Sequence, residues 1–369
     1  MALYFGWDHP AQTQYDNVLW HPRSLGHWSI TPSVVSSFSP DLPENLVLNC
    51  NPTIREVAQV IGLIVSSFPA EQHAQLHYRT LESEKIHALK VNEGNYESTM
   101  TLSQMAKTEL TWWIENIDMA SRPIMFGNQD IAITPDASNF GWGTVCNGTK
   151  TGGPWAKDEA DSHINYLEMK AVLLGLKSLY NNTTGKHIRV QSDNTTTVSY
   201  INEVGGIKSV LCNDMAQTIW AWCIDSNIWL SACHIPGSQN TDADKQSRVF
   251  HVSTEWSLCT QVFEDIQKLW GKFDVDLFAS RLNFKIPSYV SWRPDPNAMF
   301  VNALYMNWHN YSFYAFPPFS LIGTCLQKIQ QDRATGVGIV PLWPTQPWFT
   351  VLLYLLRKTL ESYHAPKPS

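Results

Sequence analysis

Residues 131–146 read IAITPDASNFGWGTVC, and they decide how the middle of this chain folds. Two β-like runs, Ile131–Ser138 and Gly141–Cys146, stand almost back to back. The apolar residues Ile131–Ile133 lead into Asp136, and Gly141 and Gly143 follow in the second run. Further β-like runs come at His187–Asp193 and Trp229–His234. Helical patterns cover Tyr166–Tyr180, Thr195–Glu203, Val210–Ile224 and Thr241–Val249. Two adjacent strands followed by helix and strand in alternation predict a mixed sheet covered by helices over about residues 127–252. Pro135 has no N–H to give a ladder, so a bulge or an unpaired position is expected there.

Four acidic residues stand at ends and starts of these elements. Asp136 ends the first apolar strand, although an Asp after Pro135 is also an ordinary turn residue. Glu168, in HINYLEMKAVLLGL, shares a helix face with Val172, Gly175 and Leu179. A charge on an apolar face is costly unless it is paired or metal-bound. Asn165, three residues earlier, offers the bland alternative of a capping box. Asp193 ends one strand and opens a helix, as a plain N-cap would. Asp244 and its competitor Asp242 lie in the first turn of a helix, where acids often just meet the helix dipole. His234, at a strand end ten residues before Asp244, could shuttle protons or be purely structural. Hydrolysis of a phosphodiester with two metal ions needs several carboxylates, distant in sequence, converging on one point. Magnesium takes a few carboxylates plus water and phosphate oxygens.

Outward from this segment, residues 1–50 are rich in Pro, Ser, His and Trp without periodicity and read as an irregular lead-in. Residues 51–126 read as a small helical domain. Thr53 and Glu56 signal a capping box, and Ile54, Val57, Ala58, Ile61, Ile64 and Val65 make an apolar face closed by Pro69. Helices follow around Leu76–Val91 and Ser103–Ile117, the latter holding Trp112 and Trp113. Residues 253–369 continue as α/β, expected to be Rossmann-like. Helices are read at Thr254–Trp270, Leu321–Ala334 and Trp348–Glu361, and strands at Phe273–Ala279, at FYAF before Pro317-Pro318, and at Gly338–Leu342.

The bulk properties bound the function. A hydrophobic content of 44% with 16% charged residues describes a folded chain. The formal charge of −7 counts against strong free-standing nucleic-acid binding, so contacts to nucleic acid must come from local patches or a partner. The seven cysteines are scattered without a C-x-x-C pair, which points to reduced thiols, an intracellular setting in cytoplasm or nucleus, and no zinc site. No secretory leader and no membrane-length apolar run is read.

Taken together, the blocks DASNFGWG, HINYLEMKAV, VQSDNTTTVSYI and HIPGSQNTDADKQSR resemble, in that order, the type-1 ribonuclease H domain of retrotransposon reverse transcriptases. The resemblance implies an RNase H-like mixed five-stranded sheet with flanking helices. It also implies two magnesium ions, with manganese as a substitute, held by Asp136, Glu168, Asp193 and Asp244. The implied substrate is an RNA–DNA hybrid. Asn240, Ala243, Asp244, Ser247 and Arg248 match that family's N-x-x-A-D-x-x-S-R block, which ranks Asp244 above Asp242.

The helical segment resembles the thumb and connection of DIRS-type elements. DVDLFASRLN, WRPDPNAMFVNALYMNW and YAFPPFSLI resemble the adenine-methyltransferase-like domain of the same elements. In that class an Asp or Asn precedes Pro-Pro; here Phe316 stands there, and its side chain can neither donate nor accept. Methyltransferase activity is therefore not expected. No Y-x-D-D-like turn is read, so polymerase activity would have to come from a domain acting in trans. The rival readings are a catalytically inactive remnant that only binds nucleic acid, and a transposase- or resolvase-type nuclease. The HIPG turn and the N-x-x-x-D spacing argue against the second.

Overall fold

A computed structural model describes residues 18–23, 27–32, 41–68, 73–116, 122–123, 129–181, 183–250 and 257–356. The chain opens with β1 (Val18–Arg23), β2 (His27–Pro32), α1 (Asp41–Leu48), α2 (Ile54–Ser67), α3 (Arg79–Val91), α4 (Gln104–Asn116) and β3 (Arg122–Pro123). There follow β4 (Ile131–Ala137), β5 (Gly141–Cys146), β6 (Thr149–Pro154), α5 (Ile164–Leu179), β7 (His187–Ser192), α6 (Thr195–Asn202), α7 (Val210–Asp225), β8 (Trp229–His234) and α8 (Thr241–Arg248). The last stretch holds α9 (Thr260–Trp270), β9 (Val275–Asp276), β10 (Val290–Ser291), β11 (Phe300–Val301), β12 (Ser312–Ala315), α10 (Ile322–Asp332), β13 (Thr335–Gly338) and α11 (Pro347–Leu355).

Two compact bodies are present. One takes residues 1–130, 198–225 and 229–232; the other takes 131–197, 226–228 and 233–369. In the first, α2 begins with the capping box foreseen at Thr53 and Glu56. Its buried stripe is Ile54, Val57, Val60, Ile61 and Ile64, whereas Val65 is exposed. That stripe packs with Leu81, Ala106, Leu110 and Trp113. The buried carboxylate of Glu109 accepts the N–H groups of Thr80 and Leu81, both at 2.9 Å, and so caps α3 from α4. The stretch read as an irregular lead-in is not wholly so: β1 and β2 form an antiparallel pair joined by β3, and α1 follows.

A mixed sheet of five strands with flanking helices has the order β6-β5-β4-β7-β8. β4 pairs antiparallel with β5 and parallel with β7. The strand β6, TKTGGP, has no apolar alternation and is found only by its pairing along the whole of β5. Pro135 makes no bulge: it stands in register opposite Thr144 of β5, and it is unpaired only on the β7 side. The β4–β7 ladder ends at Ile133, so the missing N–H faces no partner strand on that side.

Glycines set how closely the helices approach. A Cβ on Gly143 would lie 2.4 Å from the carbonyl oxygen of Ala243 in α8, and one on Gly175 in α5 would lie 2.4 Å from Oγ1 of Thr144. Neighbouring residues of β5 point to opposite faces. Gly143 therefore turns toward α8 and Thr144 toward α5.

Beyond α8, β13, β12 and β9 make a parallel three-stranded sheet, and β10 and β11 a parallel pair, with a bridge between Asp276 and Tyr289. In place of the expected strand at Gly338–Leu342, the strand is Thr335–Gly338, because Ser312–Ala315 pairs with it. The long strand read at Phe273–Ala279 is reduced to Val275–Asp276. Residues 254–256 and 357–361 of the predicted helices lie outside the described residues.

Candidate active site

The register of the central strands brings two of the acids together. Ile133 pairs with Val190 in the parallel β4–β7 ladder. Three residues on from each stand Asp136 and Asp193, at the carboxyl ends of neighbouring strands. In open α/β sheets this is the edge where ligands bind. α5 adds Glu168, a buried carboxylate near Ala137. Ligand oxygens of Asp136, Glu168 and Asp193 all lie within 4.8 Å of one another, a grouping of the kind that can hold a metal ion.

The bland alternatives for two of these acids do not form. α5 is capped by His163, whose Nδ1 accepts from the N–H of Asn165, and not by an Asn165–Glu168 box. Asn165 instead accepts from Nδ2 of Asn194 at 3.0 Å. At the start of α6, Asn194 takes the N–H of Thr197 at 2.9 Å, which leaves Asp193 free of the capping role.

The electrostatics of the group are strained. Burial, followed by the charges of Asp136 and Asp193, pushes the Glu168 carboxyl up to about 9. Burial also raises Asp136 to about 6; the Ser247 hydroxyl opposes the rise, and the charges of Asp244 and Asp193 add to it. Oδ2 of Asp136 and Oε2 of Glu168 are buried without a hydrogen-bond partner. Buried carboxylate oxygens normally find donors, so such orphans need an explanation. A divalent cation supplies one, because it would satisfy both atoms and offset the mutual repulsion.

In the sequence Asn240 serves only as a marker for Asp244. In the fold it is almost wholly buried, and its Nδ2 donates to Asp136 Oδ1 at 3.1 Å, to Asp193 Oδ1 at 3.4 Å and to the carbonyl of Pro135 at 3.3 Å. One amide thus braces two like charges. The turn after β8 also closes on the group: a Cβ on Gly237 would stand 3.1 Å from Asp193 Oδ2.

Asp244 and His234 do not join the three acids within that span. Asp244 pairs with Arg248 one turn along α8, Oδ1 to Nε at 2.7 Å, although its charge still bears on Asp136. His234 ends β8 with its side chain exposed. Asp242 is tied to Lys150 at 2.9 Å.

In the C-terminal region, Asp276 is buried and both its oxygens accept from backbone, Oδ2 from Lys285 at 3.0 Å and Oδ1 from Phe278 at 3.5 Å. Phe316 packs on the apolar cluster of Phe263, Ile266, Phe273, Ile286 and Tyr314. Both residues therefore have structural work in place.

No protein-family model and no curated protein matches this chain. Solved structures do. An RNase H1 from the halophilic archaeon Halobacterium salinarum matches at 13% identity and a TM-score of 0.27, over 31% of this chain and 92% of that one. LC11-RNase H1, in complex with an RNA/DNA hybrid, matches at 18% identity and 0.28, over 32% and 93%. The foamy viral protease–reverse transcriptase in complex with an RNA/DNA hybrid matches at 11% identity and 0.20, over 60% of this chain and 29% of that chain.

Proposed function

We propose that this chain is a divalent-metal-dependent ribonuclease H, of DIRS-type retroelement descent, that cuts the RNA strand of RNA–DNA hybrids. The observation that carries the reading is the convergence of Asp136, Glu168 and Asp193, with two of their oxygens buried and unpartnered. These three side chains would hold the metal, with Asp244 as a fourth ligand once it leaves Arg248. Bound cations would supply an activated water and charge stabilisation at the leaving oxygen. The protein's own part is to keep like charges close. The parallel register aligns Asp136 with Asp193, Asn240 donates to both, and α5 presents Glu168 beside Ala137. Hybrid recognition would use minor-groove shape and 2′-hydroxyl contacts rather than base sequence. Polymerase and methyltransferase activities are not part of this proposal.

A second reading, hybrid binding without cleavage, is favoured by one observation: the Asp244–Arg248 ion pair leaves three carboxylates where the family resemblance implies four. A labelled hybrid incubated with magnesium, wild type beside Asp193→Asn, separates the two. The nuclease reading expects cleavage by wild type and its loss in the variant. Equal inertness with retained, magnesium-independent binding supports the second reading.

A further inference from the structure

Two residues after Glu168, α5 carries Lys170, whose Nζ lies 2.8 Å from Oε1 of Glu159. Glu159 sits in the connection between β6 and α5, and it is gripped from the C-terminal region of the same compact body. Arg281 donates through Nη1 to Oε1 at 3.1 Å and through Nη2 to Oε2 at 2.9 Å, a two-point fork. The same Nη2 reaches the carbonyl of Pro154, the last residue of β6, at 2.9 Å. Side-chain exposures of 14%, 10% and 19% for Arg281, Glu159 and Lys170 mark this as a mostly desolvated cluster and not a surface pair. Burial works to raise the Glu159 carboxyl, but the donors on Arg281 and Lys170 outweigh it and hold the group at about 2.

The Arg281 end is itself fixed. Its backbone N–H donates to Asp295 Oδ1 at 3.1 Å, and Asp295 also accepts from the Tyr289 hydroxyl at 2.6 Å. One residue earlier, the carbonyl of Pro294 accepts from the Thr151 hydroxyl of β6. A continuous set of polar contacts therefore runs from the C-terminal region, past the edge of the five-stranded sheet, to the helix that bears Glu168.

We propose that Arg281 is a positioning residue for the acidic cluster: through Glu159 it fixes Lys170, and with it the turn of α5 that presents Glu168. The inference rests on reading that cluster as a metal site. It gives the C-terminal region a role that needs no chemistry of its own. Removing one partner from a buried ion network leaves the remaining charge uncompensated, so the connection and the helix must shift to rehydrate Glu159. Loss of contacts that orient metal ligands typically weakens metal affinity by roughly 10–100-fold.

The test uses the full chain and four proteins: wild type, Arg281→Met, Lys170→Met and, as a control on the same connection, Lys157→Met at an exposed site. Two readouts are taken, the Mn2+ dissociation constant and amide hydrogen exchange along α5. Arg281→Met is expected to weaken Mn2+ binding about tenfold and to speed exchange in the first half of α5, with α10 unchanged. Lys170→Met cuts the same network from the helix side and should weaken Mn2+ binding similarly, which keeps the test open if Arg281→Met fails to fold. Lys157→Met should match wild type. Wild-type affinity and wild-type α5 exchange in a folded Arg281→Met or Lys170→Met protein would overturn the proposal. If wild type itself binds no Mn2+, the metal reading of the cluster falls, and α5 exchange alone still decides whether Arg281 positions the helix.

Discussion

Glu168 is held where a carboxylate is least at ease, buried beside Asp136 and Asp193 with one oxygen unpartnered. Glu168→Gln keeps the shape and removes the charge. In EDTA at pH 8 it should melt at a higher temperature than wild type, and at pH 4 the two should melt nearly together, because Glu168 is then protonated in the folded protein and mostly so in the unfolded chain. The same variant should lose metal-dependent cleavage by at least about 100-fold, since a ligand matters no less than the contacts that orient it. Asn240 works in the opposite sense, as the donor that makes two close carboxylates tolerable. Asn240→Ala should cost about 1–3 kcal/mol at pH 8, the penalty for stripping donors from buried acceptors, and less at pH 5, where Asp136 takes up a proton. Urea titrations at both pH values check the sign as well as the size.

The site is assembled by elements meeting closely, and the glycines of β5 are what permit it. Gly143→Ala would place a methyl 2.4 Å from the Ala243 carbonyl and 2.6 Å from Gln246 Cβ. Helix α8, with Asn240 at its start, would have to lift from the sheet. Overpacking of this kind costs about 1–3 kcal/mol. Differential scanning calorimetry should show the lower melting temperature, and hybrid cleavage should fall with it.

Much of this was legible in advance. The apolar runs around Ile133 and Val190, and the apolar face of α5, placed Asp136, Asp193 and Glu168 on their elements. Pairing was not legible: TKTGGP reads as a loop until β5 offers it a ladder, and VLWHPR and HWSITP carry Pro and His that break alternation. The β12–β13 register likewise overrode the more apolar run after Gly338. The contacts of Asn240 are tertiary facts, whereas the tie of Asp244 to Arg248 is local, one turn apart on α8. No local pattern distinguishes an Asn that braces two carboxylates from one that caps a helix.

For the molecule as a whole, the buried acids couple stability to pH, and on the proposed function to metal as well. Asp136 and Glu168 have folded-state values raised to about 6 and about 9, above their ordinary values. The stability they contribute is full below the ordinary carboxylate range and is lost as pH rises through those raised values. Glu159, lowered to about 2, acts at the other end; its contribution is present above the ordinary carboxylate range and is lost as pH falls through about 2. Metal-free protein should therefore lose stability from pH 5 to pH 9. Magnesium needs the carboxylates deprotonated, so the melting-temperature gap between magnesium and EDTA should widen over the same interval. Scanning calorimetry at pH 5, 7 and 9 would show it.

Among the described residues no helix is long and apolar enough to cross a membrane. The formal charge of −7 adds a demand on any nucleic-acid partner, since binding must then rely on local contacts and weaken with salt. Strand-selective cleavage tests the central claim most directly. An RNA–DNA hybrid carrying a different label on each strand is incubated with the full chain and magnesium, beside duplex DNA and single-stranded RNA. The account predicts that the RNA strand of the hybrid alone is cut, that EDTA stops it, and that Asp136→Asn abolishes it. Cleavage of duplex DNA with the hybrid left intact, or cleavage of the hybrid undiminished in Asp136→Asn, would contradict it.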